Sequence, residues 1–173
     1  MNIEMSQTNL LDMDLDCLVS YVFEDEIDPS LESLELNKSL SDYITDLIND
    51  GEVNGRFGQL NLVHTHKNAK QKRILFAGMG KKQDFNLDRA RKLAANVAKF
   101  IRNKNFSVSG ALAGRIELPK AIAVSDFFSA IVEGASLGLY TFEDHMRKKG
   151  DSTKPESSSL LLGGLGGLTN KQQ

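Results

Sequence analysis

The sequence has a single cysteine, no apolar run long enough to cross a membrane and no opening stretch that reads as a secretory signal. With Cys17 alone, no disulfide can form within the chain, and a buried lone thiol behaves as a small hydrophobe in a reducing compartment. A catalytic cysteine would need a base beside it, and none is apparent near Cys17. No segment approaches the roughly 20 apolar residues that span a bilayer. The opening stretch MNIEMSQTNLLDMDLD is acidic and lacks a basic segment leading into an apolar core. Together these absences lead us to expect a cytoplasmic protein with no membrane partner.

What is present suits one well-cored domain. The chain has 173 residues, 40% hydrophobic and 25% charged, close to ordinary globular values. Its net charge of −2 conceals a division along the chain. Residues 1–50 carry 13 acidic side chains against Lys38 alone, a net of −12, whereas residues 51–173 carry a net of +10. Two halves lying side by side would partly neutralise each other. The basic residues are scattered over several predicted elements without interleaved aromatics, so nucleic acid is not an expected partner.

Strand and helix patterns alternate. Leu15 to Phe23, LDCLVSYVF, reads as a strand buried on both faces, ending at Glu24-Asp25-Glu26. Leu40, Ile44, Leu47 and Ile48 form one face of a helix over residues 37–50, with Gly51 as its stop. Strands follow at Leu60–Thr65 and Arg73–Ala77. A helix capped by Asn86 then carries Leu87, Ala90, Ala94, Val97, Ala98 and Ile101 on one stripe, with Asp88 in its first turn. Phe106–Ala113 reads as a strand. Ser125 is the expected cap of a helix to about Leu139, with Phe128, Ile131, Val132 and Ala135 inward. Asp144 to Ser159 reads as a surface loop and Ser159–Leu162 as a last strand. The order predicts an α/β fold with a mixed sheet covered on both faces.

Candidate sites are weak. Gly78-Met79-Gly80-Lys81-Lys82 follows a strand, as phosphate-cradling turns do, but no GxxxxGK[ST] is present and Gln83 stands where GxGxxG needs glycine. His64 and His66 would project from one strand face, yet no third ligand is evident, His145 lying in a charged segment elsewhere. Glu24, Asp25, Glu26 and Asp28 lack calcium-loop spacing and read as solvated loop charge. Ser125 lacks the G-x-S-x-G setting of a nucleophile. The residues therefore nominate no catalytic, cofactor-binding or metal-binding position.

Four ordered blocks nevertheless form a pattern. They are Asp16-Cys17-Leu18-Val19, then Gly55-Arg56-Phe57-Gly58, then Gly78 to Lys82 with Asp84-Phe85 and the following helix, and finally Glu133-Gly134 with Leu137 to Phe142. In this order the chain resembles the N-terminal domain of the leucyl (cytosol) aminopeptidase family of metallopeptidases over roughly residues 15–150. The resemblance implies a three-layer α/β/α, macro-like domain. On it we expect a flexible N-terminus at 1–14, the domain at 15–163 and a glycine-rich tail at 164–173 leading to a catalytic domain not included in these residues.

In that family the catalytic domain holds two divalent metals, zinc, manganese or magnesium, that activate a shared water for release of N-terminal amino acids. Its Asn-Thr-Asp-Ala-Glu-Gly-Arg-Leu metal signature does not occur here, so the resemblance assigns no metal or cofactor to this chain. It implies instead a supporting role toward the chain's own C-terminal catalytic domain and the neighbouring subunits of a hexamer. The alternative is a stand-alone macro-like module binding ADP-ribose or another nucleotide, although the Asp-Ile-Thr and Asn-Ala-Ala-Asn segments usual in such modules are missing.

Overall fold

The computed structural model describes residues 2–27, 34, 36–66, 69–113, 116–140 and 158–163. Among these, six strands form one mixed sheet: β1 (Asn2–Met5), β2 (Cys17–Val22), β3 (Leu60–His64), β4 (Arg73–Gly78), β5 (Val108–Leu112) and β6 (Ser159–Gly163). Their spatial order is β1-β6-β5-β2-β4-β3, every neighbouring pair being parallel except β3 with β4. Helix α1 (Lys38–Asn49) packs on one face, and α2 (Leu87–Asn103) with α3 (Val124–Leu139) on the other. The result is the expected three-layer α/β/α architecture.

Strand β2 shows why the sheet is central. Cys17, Val19, Tyr21 and Phe23 face the α2–α3 layer, while Leu18 and Val22 face α1. All six residues of β2 are buried, which accounts for the unbroken apolar run in the sequence. Helix α1 is capped by Asn37, whose Oδ1 accepts the Leu40 N–H at 3.0 Å, and ends at Gly51 with φ +75°. Helix α2 is capped by Asn86, which accepts the Arg89 N–H at 3.0 Å, and buries Leu93 in addition to the expected stripe, of which Leu87 is only half-buried.

Two expectations need correction. Residues 1–14 do not stand apart from the fold: β1 pairs with β6 from Asn2↔Ser159 to Met5↔Leu162. Leu10 is buried, and the Gln71 side-chain amide donates to the carbonyls of Leu10, Leu11 and Met13 at 3.1, 2.9 and 3.2 Å. A four-residue, mostly exposed edge strand shows too little alternation to be read from sequence.

Ser125 does not cap α3. The cap position is Ala123, without a side-chain bond, and the Ser125 carbonyl accepts the Ser129 hydroxyl at 3.0 Å inside the helix. Phe127, fully buried, takes the inward place expected of Val132, which is 37% exposed because it lies one step off the Phe127–Ile131–Gly134–Gly138 stripe. The expected loop over residues 144–159 and the glycine-rich tail at 164–173 fall largely or wholly outside the described residues.

Candidate functional site

The sheet topology selects one place for a site. Beyond β2 the chain turns to the face covered by α1, whereas beyond β4 and β5 it turns to the α2–α3 face. The carboxyl ends of these three adjacent parallel strands therefore meet at a topological switch point, the place where the ligand crevice lies in open α/β folds. Its rim consists of Phe23 to Glu26, Met79 to Asp84, and Ile116-Glu117.

The glycine loop after β4 is built for close backbone packing. Gly80 has φ +77°, in the left-handed region, and a side chain there would meet Phe57 Cβ at 3.0 Å. A side chain on Gly78 would overlap the carbonyl oxygen of Arg56. The Gly55–Gly58 turn is thus wedged against the loop, and Arg89 from α2 lies 5.1 Å above the Phe57 ring.

Phosphate binding would require free amides here, and four of them are committed. Gly78 N–H donates to Gln59 O, Met79 N–H to Val22 O and Gly80 N–H to Gly55 O at 2.9, 2.8 and 2.9 Å. Lys82 N–H donates to Asp25 Oδ1 at 3.1 Å.

The crevice is acidic. Lys82 Nζ donates to Glu26 Oε1 and Oε2 at 3.0 and 2.8 Å and lies 3.8 Å from Glu117 Oε1. The bond to Glu26 raises the Lys82 pKa, against the opposing effect of burial. Asp25 and Glu26 are accordingly bonding partners of the β4–α2 loop, a correction to their reading as solvated charge; Asp28 lies outside the described residues. With four loop amides spent and Lys82 paired, this arrangement is a poor receptor for an anionic ligand.

The other candidates do not converge on the crevice. Cys17 begins β2 at the opposite end, beside Ser109, and burial pushes its thiol up to about 12. His64 ends β3 and His66 follows with φ 49°, their rings 6.3 Å apart. Both are exposed and border a shallow cleft of about 380 Å³ with Asp14, Lys70, Lys72 and Arg73. Its cations are engaged: Lys70 with Asp12 at 3.6 Å, Lys72 with Asp16 at 2.6 Å, and Arg73 over the Phe106 ring at 4.9 Å. Among the described residues, no three of His, Cys, Asp and Glu gather as a metal ion would require.

Sequence reasoning missed Asp16 as a junction. Its Oδ2 accepts the N–H groups of Ser107 and Val108 at 2.9 and 3.3 Å, while Oδ1 holds Lys72. The bond from Lys72, helped by those two amides and opposed by burial, lowers its pKa. One carboxylate so joins the starts of β2, β4 and β5. Its place at the head of the first ordered block was the available signal.

Comparison with known proteins agrees with the fold. The model of the cytosol aminopeptidase family, N-terminal domain, matches residues 21–149. A probable cytosol aminopeptidase of Cyanothece sp. is 30% identical over 98% of this chain and 34% of its own length. One from Thermosynechococcus vestitus is 31% identical over 93% and 31%. The chain therefore spans about a third of the length of these relatives. Among solved structures, a mutant of tomato leucine aminopeptidase matches with TM-score 0.68 at 17% identity, over 95% of this chain and 32% of that one. The macrodomain of Mycobacterium tuberculosis DarG matches with TM-score 0.61 at 15% identity, over 92% and 96%. At such identities these structures speak for the macro-like fold alone.

Proposed function

Since the chain belongs to the cytosol aminopeptidase family, matching its N-terminal domain, we propose that it is the non-catalytic portion of a two-metal exopeptidase. In this reading the parent releases N-terminal amino acids from peptides, using zinc, manganese or magnesium held by sequence beyond these residues. This domain contributes assembly contacts in a hexamer and shapes access to the catalytic portion, and the parent is cytoplasmic. The supporting observation is that a domain-specific family model matches three quarters of the chain while the relatives run about three times longer.

The test is a chimera in which this chain replaces the N-terminal third of the Cyanothece relative. Its sedimentation coefficient and leucine-peptide hydrolysis should match those of the unmodified relative. A folded chimera that hydrolyses peptide normally but sediments as a monomer would overturn the assembly role. Nucleotide binding is the lesser reading, because the crevice presents carboxylates and committed amides. Calorimetry with ADP-ribose should give no heat at millimolar concentration.

A further inference from the structure

Strand β3 closes one end of the sheet, with β4 as its neighbour on one side and no strand on the other among the described residues. Bonds at its two ends fix which groups face β4. Gly78 N–H donates to Gln59 O at 2.9 Å, and Thr65 N–H donates to Lys72 O at 3.2 Å. In an antiparallel pair such bonds recur at every second residue. The odd-numbered residues from Gln59 to Thr65 therefore bond β4, and Leu60, Leu62 and His64 turn their N–H and C=O groups to the open edge. Among the described residues nothing bonds those groups.

Exposed edges are ordinarily defended by a charge, a proline or a bulge. The opposite edge, β1, carries Glu4, but β3 reads Leu60-Asn61-Leu62-Val63-His64, without proline, lysine or carboxylate. Space beside it is open. Leu60 and Leu62 are half-buried on the α2–α3 face, and on the α1 face a cleft of about 180 Å³ runs from Leu62, Val63 and His64 to Tyr43 and Leu47.

The strand complements a second copy of itself. A two-fold axis at Leu62 sets Leu62 against the partner's Leu62 and Leu60 against the partner's His64, so every edge-facing group meets a counterpart. The flanks also match. Gln59 and Asn61 donate through their side-chain amides to Glu52 O at 3.3 and 2.7 Å, which holds the exposed Glu52 beside the first half of β3. His64 and His66, both exposed, stand at the other end. Antiparallel pairing brings the Glu52 carboxylate alongside the partner's His64 and the partner's His66, whose imidazole N–H groups donate to such an acceptor.

We propose that β3 is the seam of a two-fold dimer of this chain, pairing antiparallel with a second copy about Leu62 to make one continuous sheet. The pairing rests on β3 and its flanks alone and stands apart from the assembly role proposed for the parent.

Sedimentation velocity over a concentration series tests the dimer, and residue-level amide exchange by NMR reads its register. The chain should sediment as a monomer when dilute and as a dimer when concentrated. On dimerising, exchange at Leu60, Leu62 and His64 should slow about fivefold or more, while Asn61 and Val63, already bonded to β4, stay unchanged. Leu62→Pro removes an N–H that β4 does not use and should leave a monomer at every concentration. His64→Glu alters an exposed side chain and covers the case of a proline variant that does not fold. It should weaken the dimer about tenfold, and mixing it with Glu52→Lys should give a heterodimer tighter than either homodimer. A wild-type chain that stays monomeric at millimolar concentration would overturn the proposal. So would a dimer with unchanged exchange at Leu60, Leu62 and His64, or a mixture that associates no better than its components.

Discussion

Gly134 of α3 rests against the carbonyl oxygen of Arg91 in α2 so closely that a β-carbon there would overlap it. One turn on, a β-carbon on Gly138 would lie 2.6 Å from Ala95 Cα. The two helices meet backbone to backbone through this pair, with the Arg91–Glu133 ion pair at 2.6 Å on the flank. Gly134→Ala should therefore destabilise the domain by about 2 kcal/mol, overpacking outweighing the gain in helix propensity. Urea unfolding would read this as a lower midpoint with an unchanged slope.

Asp16 should make stability depend on pH in the acid range. Its native pKa is lowered by Lys72 and the Ser107 and Val108 amides, so its contribution is complete above the unfolded value of about 3.9. That contribution is lost as pH falls through the depressed native value. Asp16→Asn should cost about 1–2 kcal/mol at pH 7, and the gap from wild type should close toward pH 2. Thermal melts of both proteins across pH 2–7 check the sign.

The Asn86 cap of α2 offers a local test. Its side chain accepts the Arg89 N–H, and Asn86→Ala should cost about 1 kcal/mol. Asn86→Asp should retain most of that stability, since aspartate accepts the same bond beside the positive end of the helix dipole. Chemical denaturation of the three proteins distinguishes the outcomes.

Cys17 should be inert in the native protein. With its thiol buried and its pKa raised to about 12, almost no thiolate exists at pH 8. Ellman's reagent should leave the folded chain unlabelled for hours and react with one thiol per chain in denaturant.

The layers and most elements were legible because burial imposes a period on the residues. The unbroken apolar run of β2 and the Ala90–Ile101 stripe of α2 are direct records of what each touches. Strand β1 was not legible, because an edge strand buries little and so leaves little pattern. The α3 start was misread because Ser125 has a capping residue's chemistry but not its position.

The candidate site divides the same way. The glycine loop was visible in sequence, yet whether its amides were free depended on Gln59, Val22 and Gly55, far away in the chain or across the sheet. The ordered blocks proved informative for a reason specific to each. Asp16 ties three strand starts, Gly55 and Gly58 form a wedged turn, Gly78 and Gly80 receive it, and Gly134 seats one helix on another. These are packing devices, and they suit the supporting role proposed for the domain.

Release of leucine from a leucyl peptide by the purified 173-residue chain, with and without added manganese, probes that conclusion most directly. The account predicts a rate equal to the buffer blank in both conditions. Hydrolysis that follows the chain through purification and rises with manganese would contradict it.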